Sequence, residues 1–137
     1  MSYGMAAALQ AAVFQHLRAT PTINALVGNN IFDAMPAGAV PETYVTLGPE
    51  DVRDASDASG GGAIHRFTVS VVSELSGFSV AKSVASAVSD ALEDPALTLD
   101  RGRVVGLWFE RATAKRTGTA GQARRIDLRF RARVEDN

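Results

Sequence analysis

Apolar residues recur at three- and four-residue intervals at the start of the chain. Met5, Leu9, Ala12, Val13, His16 and Leu17 fall on one stripe, which predicts an amphipathic helix over about residues 4–18. Thr20 and Pro21 then read as an N-cap followed by proline at the first helical position. A short second helix carries Ile23, Leu26 and Val27 and stops at Gly28. Residues 31–35 are briefly extended before Pro36, Gly38 and Pro41 break regular structure. Tyr44, Val45, Thr46 and Leu47 are aromatic, β-branched or apolar, and predict a strand. From His65 onward Phe67, Val69 and Val71 alternate with Arg66, Thr68 and Ser70, a central-strand pattern in which adjacent Val71 and Val72 suggest a bulge or burial on both faces.

Helical spacing returns at Ala81, Val84, Ala85, Val88, Ala91 and Leu92. It predicts a helix over about 77–93, ended by Pro95. The last third reads as a long hairpin. Val105, Leu107 and Phe109 share one face, a Gly- and Thr-rich loop spans about 114–122, and Ile126, Leu128, Phe130, Ala132 and Val134 alternate without fault. Between the early strands, residues 53–62 lack periodicity and any large apolar side chain, and predict a flexible loop. The order of elements argues an α+β fold: an antiparallel sheet of about four strands packed against an N-terminal helix and a central helix. No period of 20–50 residues repeats, which excludes a solenoid.

The chain has 137 residues, with 46% hydrophobic and 21% charged positions. That is enough for one core, and the whole chain, 1–137, is expected to form a single domain. There is no cysteine, hence neither a disulfide framework nor a thiolate metal site. No apolar run approaches the roughly 20 residues that span a bilayer. The Ala-rich start lacks the preceding basic residues of a signal peptide, so no membrane association is expected and synthesis in the cytoplasm is.

Net charge is −1, but it is unevenly distributed. Residues 1–100 hold eleven Asp/Glu and four Lys/Arg, whereas residues 101–137 hold ten Lys/Arg and four Asp/Glu. Opposite potentials on different faces favour oriented head-to-tail contacts and also permit binding to a polyanion. Both runs are equally compatible with ordinary solvated strand faces.

Signatures of chemistry are missing. Gly60, Gly61 and Gly62 lack a following Lys-Ser/Thr pair and precede a strand instead of a helix, unlike a phosphate loop. His16 and His65 have no partner at metal-ligand spacing. His16 is expected to pack at the helix boundary and His65 to sit at a loop edge. No serine stands in a nucleophile elbow, and the neighbouring pairs Glu50-Asp51 and Glu93-Asp94 have only adjacency to suggest acid–base work. No local motif indicates catalysis, a cofactor or a metal site, although a small enzyme whose site is assembled only in space escapes this test.

The arginines of the last strand are the strongest functional signal. Arg129, Arg131 and Arg133 project from one face at intervals of about 7 Å and suit carboxylates or phosphates. Trp108 alternates away from Leu107 and Phe109; an outward Trp marks an interface, or is covered by a helix. Glu50, Asp51, Asp54 and Asp57 supply an acidic counterpart in the same chain. These eight residues form the candidate interface with another subunit or partner. A non-specific nucleic-acid-binding module built on the arginine strand is the alternative, although no helix-turn-helix, zinc finger or RNP-like pattern accompanies it.

Taken in order, these pieces resemble a family. The run Leu26-Val27-Gly28-Asn29-Asn30-Ile31-Phe32, then Met35-Pro36, Pro41 and Tyr44-Val45-Thr46-Leu47-Gly48, is similar to the tail-terminator or tail-completion proteins of long-tailed phages and gene transfer agents. The likeness continues through the strand at 65–75, the helix at 77–93, Leu97-Thr98-Leu99 and Phe130-Arg131-Ala132. The resemblance implies a structural virion protein, not an enzyme and without a cofactor, that forms a ring, usually of six subunits, at the head-proximal end of the tail. Such a ring stops polymerisation of the tail-tube protein and receives the head-tail connector or stopper protein. DNA passes through its lumen without sequence-specific binding, and assembly takes place in the host cytoplasm. The charge asymmetry suits the head-to-tail contacts of a ring.

Overall fold

The computed structural model describes residues 3–35, 37–56 and 61–136. Helix α1 (Ala6–Arg18) buries Leu9, Ala12, Val13 and Leu17, as its spacing predicts. Helix α2 (Pro21–Val27) has Thr20 at its N-cap position and Pro21 in its first turn. The Thr20 hydroxyl, however, donates back to the His16 carbonyl at 2.7 Å and ties α2 to α1. Gly28 closes α2 with φ +60°, a conformation that favours glycine.

Strands β1 (Ile31–Phe32), β2 (Thr43–Asp54) and β3 (Gly62–Ser73) follow, then helix α3 (Ser79–Ala91), and finally β4 (Arg103–Thr117) and β5 (Ala123–Glu135). Among the described residues the five strands form one sheet in the order β1-β2-β3-β5-β4. Every pairing is antiparallel except that of the short β1 with β2. The expected α+β class holds, with the brief extended segment at 31–35 supplying a fifth strand.

Two expected loops prove shorter. Arg53 and Asp54 pair with Ile64 and Ala63, so the stretch read as a loop over 53–62 loses its ends to β2 and β3. Residues 57–60 of it lie outside the described residues. The hairpin loop read over 114–122 begins only after Thr117, because Ala114 to Thr117 pair with Ile126 to Ala123.

All three helices cover one face of the sheet. On that face lie Val45 and Leu47 of β2, Phe67, Val69 and Val71 of β3, and Ile126, Leu128, Phe130, Ala132 and Val134 of β5. Phe130 is fully buried. It stacks on Phe67 with centroids 5.6 Å apart, while Phe109 meets its edge at 5.9 Å. His16 bridges α1 to the end of α3, its Nε2 lying 2.8 Å from the Ala91 carbonyl oxygen. His65 departs from expectation. It lies on the helix-side face of β3 with no solvent exposure, and neither ring nitrogen has a hydrogen-bond partner. Its position among Ala63, Phe67 and Val69 on an alternating strand, opposite Val52 and Ala132, carries it into the core.

β4 is the edge strand and is not straight. Register shifts fall between Val104 and Gly106 and between Phe109 and Arg111. Val105 is thereby displaced from the inward face on which the alternation placed it, and it is exposed.

Candidate assembly surface

The sheet face away from the helices carries the sequence-derived candidates. Pairing across the strands aligns Trp108 of β4, Arg131 of β5, Arg66 of β3 and Asp51 of β2 in a single row. The Arg131 guanidinium lies 4.8 Å from the centroid of the Trp108 ring, within cation–π range. Its Nε is buried without a hydrogen-bond partner, so the aromatic face is the stabilising contact at that end of the side chain.

Neighbouring rows form a charge network. Glu110 Oε1 stands 3.3 Å from Arg66 Nε and 3.6 Å from Arg129 Nε, joining β4, β3 and β5. Further along, Asp127 accepts a 2.6 Å hydrogen bond from the Ser70 hydroxyl and a 2.9 Å bond from Arg125 Nε, with Lys115 Nζ at 4.0 Å. Burial of the Asp127 carboxyl works to raise its pKa. The bonds from Ser70 and Arg125 outweigh that and hold it below the ordinary value. At the other end Arg133 donates to the Ala55 carbonyl at 3.1 Å. The arginine row therefore shares one face, as the alternation indicates, but internal partners engage each of its members.

The acidic candidates divide. Asp51 stands on the arginine face and pairs with Arg53 at 3.2 Å. Glu50 pairs across from Phe67, on the helix side, and accepts a hydrogen bond from the Tyr3 hydroxyl. Asp54 likewise sits opposite Ala63 and accepts bonds from the Ser56 amide and hydroxyl at 3.3 and 2.7 Å. Asp57 lies outside the described residues. Glu50, Asp51 and Asp54 are nevertheless exposed and follow one another along the same strand.

Sequence reasoning missed Glu110, Asp127, Arg125 and Ser70 as members of this network. Ser70 and Asp127 were readable as polar positions of alternating strands, and they pair across β3 and β5. Alternation from Trp108 already sets Glu110 on this face, but nothing local announces which residues of the neighbouring strands it meets. Among the described residues no cluster of His, Asp or Glu is arranged to hold a metal ion, and no helix is long and apolar enough to cross a membrane.

The sheet thus has one face covered by helices and the other carrying a ladder of charge. The sequence profile described as "Tail completion protein gp17" matches residues 11–135, and the chain belongs to that family. A chain in the solved structure "Virion of native gene transfer agent (GTA) particle" is similar over 98% of this chain and 99% of its own length, with 57% identity and a TM-score of 0.92. No curated protein matches. The chain is thus a structural protein of the tail-completion class.

Proposed function

We propose that this chain is the terminator of a phage-like tail. Several copies, six by the resemblance noted above, form a ring at the head-proximal end of the tail tube, stop its growth and present a surface to the head-tail connector or stopper protein. The observation that carries this reading is the full-length similarity to a chain of a gene transfer agent virion at 57% identity. The subunit is made in the host cytoplasm and ends in the virion, with DNA passing through the ring.

In this reading the face bearing Arg129, Arg131, Arg133 and Trp108 and the acidic stretch with Glu50, Asp51, Asp54 and Asp57 are contact surfaces to neighbouring subunits or partners, and no chemistry is performed. The nucleic-acid-binding alternative draws no support from the arginine row. Glu110 offsets the charge of Arg129, Trp108 covers Arg131, and the Ala55 carbonyl holds Arg133. The test is light scattering and electron microscopy of the purified chain with and without the tail-tube protein of its particle. Discrete rings capping tubes of finite length are expected. A chain that stays monomeric and leaves tube growth unchanged would refute the reading.

A further inference from the structure

The two edges of the sheet are unlike each other, and both are open among the described residues. β4 hydrogen-bonds to β5 on one side and to nothing on the other among the described residues. From Trp108 to Arg116 every residue is exposed. Within it Val105, Trp108 and Phe109 are 47%, 45% and 51% exposed. A long edge strand with exposed apolar side chains is a template for another strand unless something covers it.

At the far side, β1 pairs only with Val45 and Thr46. From Gly48 to Arg53, β2 therefore keeps one side open among the described residues, and all of these residues except the half-buried Val52 are exposed. Over the roughly 3.3 Å rise of each residue this stretch offers about 17 Å of backbone with no strand partner among the described residues. Pro49 has no amide to donate, but it sits in the register shift between Leu47 and Glu50 and leaves Glu50 to Asp54 free of proline.

The charges of the two edges are opposite. Exposed positions of β4 carry Arg103, Arg111, Lys115 and Arg116 against Glu110, while the open stretch of β2 and the residue that ends the strand carry Glu50, Asp51 and Asp54 against Arg53. Like edges of two copies repel, which disfavours a two-fold dimer; unlike edges attract, which favours head-to-tail contact. Direction agrees as well. β2, β3, β5 and β4 alternate in sense, so β4 of one copy meets β2 of an uninverted neighbour antiparallel.

We infer that β4 of one subunit adds to the open stretch of β2 in the next subunit, joining the sheets of neighbouring copies edge to edge. The inference rests on the ring reading and names the surfaces that close the ring. Its test uses two charge-reversed full-length chains. One carries Arg111→Glu, Lys115→Glu and Arg116→Glu on β4; the other carries Glu50→Lys and Asp51→Lys on β2.

Each variant alone is expected to assemble at least about tenfold less well than the unaltered chain. An equimolar mixture is expected to restore rings, with the two variants alternating. Rings from either variant alone, or no rings from the mixture, overturn the edge pairing while the unaltered chain still forms rings. Failure of the unaltered chain to form rings overturns the ring reading itself, and the pairing with it.

Should a variant fail to fold, a cysteine pair decides. The chain has no native cysteine, so Val105→Cys with Val52→Cys provides the sole thiols. Treating assembled rings with a short bis-maleimide is expected to give covalent ladders of subunits. Rings that yield only single chains overturn the pairing.

Discussion

Trp108 and Arg131 stand directly opposite each other on β4 and β5, with the guanidinium 4.8 Å from the centre of the indole. Because the Trp108 ring is partly exposed, this contact contributes about 0.5–1 kcal/mol. Trp108→Ala is expected to lower the melting temperature by only a few degrees, read by circular dichroism. A loss as large as that of a core aromatic would show that the ring is buried against the body of the subunit.

Phe130→Ala should behave very differently. Phe130 is fully enclosed between Phe67 and Phe109, and its truncation leaves a cavity in the densest part of the core. A destabilisation of about 3–5 kcal/mol is expected from denaturant unfolding. The exposed Phe109, truncated in the same way, should cost under half as much. Equal losses would contradict the packing described.

His65 makes stability depend on mild acid. Burial lowers its pKa below the ordinary 6.5, opposed in part by the charge of Glu50. The folded state therefore prefers the neutral ring, while the unfolded chain takes up a proton first as pH falls. Stability is full above about pH 6.5 and declines below it, until the folded ring also protonates. Unfolding free energies measured between pH 7.5 and 5 should fall with acid, and His65→Leu should flatten that slope. An unchanged slope would remove His65 as its origin.

Asp127 acts in the opposite chemical sense. Although burial disfavours its charge, Ser70 and Arg125 hold it ionised, so its contribution is present above the ordinary carboxylate range and is lost as pH falls through its lowered value. Asp127→Asn is expected to cost about 1 kcal/mol near neutrality. The measurement is thermal melting at pH 7, and a more stable variant would count against the network.

Arg129→Glu with Arg131→Glu places new carboxylates beside Glu110 and Trp108. Both arginines are only half-buried, the Arg129–Glu110 ion pair contributes about 0–1 kcal/mol and the Arg131–Trp108 contact a similar amount, so the folded subunit should persist. Repetition of a repelling contact around a ring should block assembly or head joining. Intact rings that still join heads would show this face to be solvated surface.

Much of this organisation is legible in the amino-acid pattern, and the exceptions have physical causes. The faultless alternation from Ile126 to Val134 reads correctly because β5 is central in the sheet and buried on one face, so that a slip of one residue would invert every side chain. Val105 misleads because a register shift interrupts the alternation. His65 misleads because polarity suggests a loop edge, while its place on the strand puts it inside. The arginine face is readable residue by residue. Its internal neutralisation is not, because Glu110 comes from another strand.

The position of β5 between β3 and β4 bears on synthesis. While the ribosome is still making the last segment, β4 has no neighbour in the sheet and cannot be held in place. A nascent or prematurely terminated chain therefore cannot display a correctly formed β4 edge. If copies join edge to edge as inferred above, only a subunit translated through β5 offers both edges, and chains made only in part are left out of assembly.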